Sequence, residues 1–172
     1  VILSGEAFFQ VTSRKNSPFL VHMGKSSVKV LGTSFNIKEE DEKITVSVLS
    51  GEVLFFEEGG KNRALSLENG KQAIYHKASG TFEKHAFGSE NFLFWKTSVL
   101  TFRDEPLSRV FSELSIHFNT HIFIVDEAIL QDRLTTSCEG QQLQEILNEL
   151  SYLHDLHFNL RNDTIYVQRK SP

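Results

Sequence analysis

The chain of 172 residues has a formal net charge of −4, 40% hydrophobic residues, 11% aromatic residues and one cysteine. Residues 1–95 hold 11 basic and 11 acidic side chains and residues 96–172 hold 7 and 11, so neither part has the basic stripe that nucleic-acid binding requires. Cys138 by itself excludes an internal disulfide and an all-cysteine zinc site. The 15 Phe against one Trp and three Tyr indicate thick apolar interiors, because Phe fills cores without a polar group.

Residues 1–88 are predicted to form an all-β domain, a roll or short β-solenoid of about eight short strands. Turn residues separate the strands at 13–18, 39–42, 58–61 and 78–80. Apolar residues alternate with small or polar ones along the strands at Val28, Val30, Phe35, Ile37, Ile44, Val46 and Val48.

One phrase occurs twice in this half, as LSGEAFF from Leu3 and as LSGEVLF from Leu49, and a looser version is LENGKQAIY with Gly70. In each copy we expect a strand to end, the glycine to make a bend that a Cβ would obstruct, and a new strand to begin. Recurrence of one corner predicts a sheet that turns repeatedly, although a chance recurrence in an ordinary sandwich gives the same pattern.

Residues 89–95 form the seam at which the apolar period changes from 2 to 3.6. We predict one helix over about 105–118, with Asp104 as its cap and Pro106 in its first turn, and a second over about 141–153. Each helix is followed by a strand. The helical stripes consist of Leu107, Val110, Phe111, Leu114 and Phe118, and of Leu143, Ile146, Leu147 and Leu150.

The second half is itself a repeat with a shift of 36 residues. The shift superposes Phe102 on Cys138, the Glu-Leu-Ser that begins at Glu113 on the one that begins at Glu149, and His121 on His157, and apolar positions fall on apolar positions. The sequence therefore predicts a small α+β domain over 97–170, made of two strand-helix-strand repeats. Leu114 and Leu150 should be buried together with Phe111 and Leu147, and Cys138 should pack as a small buried hydrophobe.

No motif for catalysis or cofactor binding is found. The phrase GTSFN at Gly32 lacks the closing glycine of a nucleophile elbow, and the glycine-lysine pairs lack the remainder of a phosphate loop. His117 with His121, and His154 with His157, have spacings that allow a metal site, but we interpret them as helix-end and surface histidines. The sequence predicts no enzyme, no cofactor and no metal.

The phrases GEAFFQV, VLGTSFNI, VSVLSGEVLF and LENGKQAIY resemble the periplasmic region of FecR-type anti-sigma factors. The segment from Leu100 to Val167 is similar to the C-terminal module of such regulators in Bacteroidetes, which is related to the short N-terminal domain of secretins and TonB-dependent receptors. The resemblance covers nearly the whole chain. It implies an FecR-like domain over 1–88 and the short module over 97–170.

The resemblance also implies a signal relay. The partner of the fragment would be the N-terminal signalling domain of an outer-membrane TonB-dependent receptor. The sigma factor, of the extracytoplasmic-function type, would be bound through a cytoplasmic domain that this chain lacks. The chain lacks an initiator Met and any run near the roughly 18 apolar residues of a membrane span, so we expect a piece of a longer protein. The resemblance implies that this piece is the periplasmic part of a single-pass inner-membrane protein that regulates iron or nutrient uptake.

Two other readings stay open, a carbohydrate- or small-ligand-binding module and a structural subunit of a secretion assembly. Trp95 is the only tryptophan available to a sugar site, and its position at the seam favours a core or interdomain plug. For protein binding we predict that the last strand is a free sheet edge. Ile165 and Val167 should then point inward and the candidate contact residues Thr164, Tyr166 and Gln168 outward.

Overall fold

The chain divides into two units, Val1–Gly88 and Ser89–Pro172. In this computed structural model the described residues are 1–14, 17–59 and 64–170. Within those ranges, none of the helices combines the length and the apolar character needed to cross a bilayer.

Unit 1 consists of strands, which pair into a five-stranded antiparallel sheet of order β1-β4-β5-β8-β9 and a four-stranded antiparallel sheet of order β2-β3-β6-β7. Successive hairpins alternate between the two sheets. The strands are β1 Glu6–Gln10, β2 Phe19–Met23, β3 Ser26–Val30, β4 Ser34–Glu39, β5 Lys43–Ser50, β6 Glu52–Glu57, β7 Ala64–Glu68, β8 Lys71–His76 and β9 Thr81–Ala86.

One apolar core is shared by the two sheets of unit 1. Because side chains alternate along a strand, every second residue points into this core. The predicted alternation is confirmed, since its members are fully or almost fully buried. They are Val28, Val30, Phe35, Ile37, Ile44, Val46 and Val48.

The repeated phrase marks the corners at which the chain passes from one sheet to the other. Gly51 joins β5 to β6 at φ 79°, and Gly70 joins β7 to β8 at φ 78°. Gly5, at φ 89°, lies just before strand β1. The chain on its other side is bridged to β2 through Ile2. All three glycines adopt the left-handed conformation that only glycine reaches without strain.

The described strands confirm an all-β unit, but they do not confirm the roll or solenoid path. The predicted turns at 39–42 and 78–80 lie between β4 and β5 and between β8 and β9. The predicted turns at 13–18 and 58–61 include residues outside the described ranges. The expected obstruction of a Cβ holds at Gly51 but not at Gly5 or Gly70, where nothing lies within 4 Å of an added Cβ.

Unit 2 contains two strand-helix-strand repeats followed by one further strand, as the 36-residue shift predicts. Its elements are the 3₁₀ helix Asn91–Leu93, α1 Phe94–Thr97, β10 Val99–Pro106, α2 Leu107–His117, β11 His121–Ile124, the 3₁₀ helix Glu127–Gln131, β12 Arg133–Glu139, α3 Leu143–Leu153, β13 Leu156–Arg161 and β14 Thr164–Arg169. Strands β10 and β12 form a two-stranded antiparallel sheet, and β11, β14 and β13 form a three-stranded sheet in that order.

The first strands of the two repeats are related by a local two-fold axis. Thr101 of β10 pairs directly with Ser137 of β12, its equivalent 36 residues later, with their hydroxyl oxygens 3.4 Å apart. Only a two-fold axis between the two strands brings equivalent residues of an antiparallel pair opposite each other. The first strands of both repeats therefore meet on the axis.

The two predicted helices are present, and each begins two residues later than predicted. Asp104 is not the cap of α2, because β10 continues to Pro106 and Pro106 occupies the N-cap position in an extended conformation. Asp104 instead lies in the irregular part of the β10–β12 pairing, with φ 52°. The short helix α1 at the seam was not predicted, because four residues are too few for an apolar period.

The core of unit 2 lies between the helices and the sheets. Phe111, Leu114, Leu147 and Leu150 are at most 4% exposed and belong to one cluster, as predicted. Helix α2 packs on strands β10 and β11 of its own repeat and on β12 of the other, and α3 packs on β13. Cys138 is buried in the same cluster, which confirms its prediction as a small hydrophobe.

Candidate protein-binding surface

The last strand, β14, is the centre of its sheet and not an edge. It pairs in parallel with β11 and in antiparallel with β13. The prediction of a free edge at Thr164, Tyr166 and Gln168 is therefore wrong. It assumed that a strand without a successor has an unpaired side, whereas β14 inserts between the second strands of the two repeats.

The outward orientation that the sequence predicts for this strand is confirmed. Ile165 and Val167 point into the core with 6% and 0% exposure, and Tyr166 on the other side is 36% exposed. The Tyr166 ring lies against the ring of Phe123 in β11, with centroids 5.5 Å apart and an angle of 54° between the planes. Val125, just after β11, is 52% exposed and Phe123 is 57% exposed. Phe123, Val125 and Tyr166 are called the aromatic face below.

Polar side chains surround the aromatic face. The register places Asn159 of β13 opposite Tyr166, His157 opposite Gln168, and His121 of β11 beside Thr164. An apolar centre that contains exposed aromatic rings inside a polar rim is typical of surfaces that bind proteins. Thr164 and Gln168 thus belong to the rim and Tyr166 to the centre.

The free edges of the three-stranded sheet belong to β11 and β13 among the described strands. A sheet edge offers unpaired backbone groups to a strand of a partner. A partner at either edge also lies next to the aromatic face, because the sheet is only three strands wide. The sequence does not reveal these edges, since both β11 and β13 are followed closely by further structure along the chain.

The histidine pairs in unit 2 do not converge. His117 contacts Glu113 with an Nε2–Oε2 distance of 3.0 Å, and His154 lies 3.7 Å from a carboxylate oxygen of Asp132. His121 and His157 are exposed on different strands. Within residues 1–14, 17–59 and 64–170, no three His, Cys, Asp or Glu side chains are placed to hold one metal ion.

A serine, a histidine and a carboxylate meet in unit 1. The Ser27 hydroxyl donates a hydrogen bond to Glu58, and Nδ1 of His22 lies 2.6 Å from Glu58 Oε1 and 2.9 Å from Ser27 Oγ. The Ser27 and His22 contacts hold the pKa of Glu58 below its usual value. A catalytic triad requires the serine and the carboxylate on different ring nitrogens. Here Ser27 and Glu58 both contact Nδ1 of His22, and Ser27 is fully buried. The cluster is therefore structural and holds Glu58 next to strands β2 and β3.

Trp95 is 49% exposed, so the expectation of a core residue is wrong, and the alternative of an interdomain plug stays a prediction. Buried contacts at the seam come instead from Leu93, which is 5% exposed, and from Asn91, whose side-chain oxygen accepts a hydrogen bond of 2.8 Å from the Thr101 backbone. The burial of Leu93 and Asn91 could not be predicted from the sequence, because residues 89–95 are too few to show an apolar period.

Comparison with known proteins identifies both units. A model described as "FecR protein" matches residues 1–54, and a model described as "FecR, C-terminal" matches residues 99–167. Two crystal structures of a proposed anti-sigma factor from Parabacteroides distasonis ATCC 8503, at 1.65 and 2.50 Å resolution, match 99% of this chain at 27% identity. Their TM-scores are 0.59 and 0.57, with 80% and 79% of the other chain covered. No curated protein sequence matches the chain significantly.

The two matched models follow each other in the order of the two units, so a single class of regulatory protein accounts for both. The solved structures match residues of both units, over 99% of the chain. The chain belongs to the FecR family of anti-sigma factors.

Proposed function

We propose that this chain is the periplasmic sensing part of a single-pass inner-membrane anti-sigma factor. It relays the state of an outer-membrane TonB-dependent transducer to an extracytoplasmic-function sigma factor and so regulates iron or nutrient uptake. Family membership supports the anti-sigma role, and so does the description of the solved relatives from Parabacteroides distasonis. The sigma factor is bound by a cytoplasmic domain of the protein, apart from the residues of this chain.

Unit 2 is the part that receives the signal, and it acts by binding and not by catalysis. The observation that supports this assignment is the aromatic face. Phe123 on β11 and Val125 just after it are more than half exposed, and Tyr166 on the central strand β14 is 36% exposed beside them. The free edges of this sheet, among the described strands, belong to β11 and β13. Water contact with this apolar surface is unfavourable, and a partner that covers it gains the corresponding free energy. The signalling domain of the transducer is that partner.

Calorimetric titration of the fragment with the signalling domain of the transducer encoded beside it tests the proposal. Tyr166→Ala should weaken binding by about tenfold or more, because exposed aromatic anchors at contact centres carry much of the binding energy. The matched control is Tyr152→Ala. Tyr152 lies on α3, is 82% exposed and is not part of the aromatic face, and its loss should change affinity by less than about twofold.

Absence of binding by the wild-type fragment would remove the proposal. Binding that is equal for wild type and Tyr166→Ala would exclude the aromatic face while leaving the relay in place. Tyr166→Ala is preferred to Tyr166→Pro, because β14 is the central strand and proline disrupts the ladder of a central strand.

A further inference from the structure

An open apolar groove lies between helix α3 and the end of the three-stranded sheet, with a volume of about 320 Å³. Leu160 stands out in it, because it shares the core-facing side of β13 with the buried Leu156 and yet is 70% exposed. A leucine on the inner side of a sheet is normally covered. The groove, called the α3 groove below, is lined by Thr120, Leu143, Gln144, Leu147, Phe158, Leu160 and Ile165.

The 36-residue repeat shows what a covered groove looks like. Four lining residues of the α3 groove, Leu143, Leu147, Phe158 and Leu160, are the equivalents of Leu107, Phe111, Ile122 and Ile124 in the first repeat. In the first repeat Leu107 and Phe111 are 0% and 3% exposed, and both isoleucines pack against the core. The same constellation is therefore closed in one repeat and open in the other.

The element that completes the first repeat is the 3₁₀ helix Glu127–Gln131. It packs against α2 and places Ile129, which is fully buried, in the core cluster that contains Leu107 and Phe111. One hydrogen bond caps this helix, and a second joins its C-terminal end to α2. The Asp126 carboxylate accepts from the Ala128 backbone at 3.1 Å, and the Leu107 backbone N–H donates to the Asp132 carbonyl at 2.8 Å.

In the second repeat, the connection between β13 and β14 is too short for such a helix. Only Asn162 and Asp163 separate β13 from β14, and both adopt positive φ in a tight turn. After β13 the chain turns directly into β14, whereas after β11 it forms the 3₁₀ helix that packs against α2. The equivalent of Ile129 is Ile165, which lies in β14 and lines the α3 groove from the sheet, so among the described residues the groove has no counterpart of the 3₁₀ helix.

We propose that the α3 groove receives an isoleucine or leucine that a partner presents on a single helical turn, in the way that Glu127–Gln131 presents Ile129. The inference rests on the proposed function, so the partner is the signalling domain of the transducer. The apolar walls select an aliphatic side chain, and the uncharged rim residues Thr120 and Gln144 suit a neutral backbone turn. A side chain that fills a preformed apolar pocket is the usual centre of a protein interface.

The α3 groove and the aromatic face lie on opposite sides of the three-stranded sheet. The groove is at β13, and Phe123 of the aromatic face is on β11 at the other edge. Substitutions on the two sides therefore report on two separate contacts.

The first test is calorimetric titration of the signalling domain with Leu160→Glu. A carboxylate in the α3 groove should weaken binding by about tenfold or more, because an apolar anchor cannot displace its hydration. The matched control is Leu153→Glu, at a leucine that is 57% exposed on α3 and does not line the groove. It should stay within about twofold of wild type. Circular dichroism melts establish that both variants are folded.

If wild type binds and Leu160→Glu binds equally well, the inference is overturned and the proposed function stands. If wild type does not bind, the proposed function is lost, and a second measurement decides about the α3 groove. The probe is then a synthetic peptide of residues 125–132 (VDEAILQD) from this chain, titrated into the wild-type protein and followed by methyl NMR.

We expect shifts at the methyl groups of Leu143, Leu147, Leu160 and Ile165, and none with the peptide carrying Ile129→Asp. Shifts confined to these residues keep the α3 groove as a site for an aliphatic turn and overturn only its assigned partner. An unchanged spectrum at millimolar peptide overturns the α3 groove as well.

Discussion

Gly51 is the residue of unit 1 at which backbone geometry and packing act together. It has φ 79°, and a Cβ there would lie 2.5 Å from the carbonyl oxygen of Gly32 and 2.9 Å from the Thr33 hydroxyl. The close approach is also what allows the Thr33 hydroxyl to donate to the Glu52 carbonyl at 2.8 Å. The corner between the two sheets is thereby fixed at a single residue.

The two copies of the repeated phrase allow a controlled prediction. Gly5→Ala should cost only the strain of a left-handed alanine, about 1–2 kcal/mol, because open space surrounds its Cβ position. Gly51→Ala should cost about 1–3 kcal/mol more, because the Cβ must also displace backbone atoms. Urea melts of both variants measure the difference. Equal losses of stability in the two variants would mean that the Gly32 carbonyl moves away from the new Cβ at little cost.

At the scale of elements, equivalent positions in the two repeats of unit 2 have the same backbone conformation although their residue types differ. Asp104 and Gly140, which are equivalent under the 36-residue shift, both have positive φ three residues before a helix begins. Asn119 and Asp155, also equivalent, have positive φ two residues after a helix ends. The left-handed conformation after a helix is a common stop signal, and Asn and Asp tolerate it. The fold therefore repeats more closely than the sequence.

The apolar faces of the helices give a prediction at this scale. Leu150→Ala should lower the free energy of unfolding by about 2–5 kcal/mol, and so should Leu114→Ala, because each empties a fully enclosed leucine site. Leu153→Ala on the same helix should change it by less than about 0.5 kcal/mol, since that side chain is 57% exposed. Urea melts that show under about 1 kcal/mol for both buried leucines would mean that the cores relax around the loss.

At the scale of the whole molecule, the chain carries two separate cores. One cluster is built only from residues of unit 1 and the other only from residues of unit 2. Units of this length can bury enough apolar surface to fold by themselves. The β sheets of unit 1 and the helical repeats of unit 2 therefore have independent sources of stability.

This separation predicts that fragments 1–88 and 89–170 each unfold cooperatively when they are produced alone. In the full chain, Leu114→Ala should lower the transition of unit 2 and leave that of unit 1 unchanged, and Gly51→Ala should do the reverse. Differential scanning calorimetry measures both transitions. A single transition that shifts as a whole with either substitution would contradict the independence of the two cores.

The long strands and helices, and the sides of them that face the cores, could be predicted from local patterns in the sequence. Alternation along β4 and β5, the 3.6 period of α2 and α3, and the glycine corners are local patterns, so short stretches of chain suffice to specify them. The 36-residue repeat likewise revealed both strand-helix-strand units. The outward position of Tyr166 followed from its alternation with Ile165 and Val167.

Only the tertiary structure decided which strands are neighbours and which grooves stay open. The position of β14 between β11 and β13 depends on a parallel pairing between residues more than 40 positions apart, and alternation carries no information about pairing partners. Leu160 is followed by a two-residue turn into β14, whereas its equivalent Ile124 is followed by the 3₁₀ helix that packs against α2. Local periodicity fixes the side of an element that is apolar, whereas long-range packing fixes what covers that side.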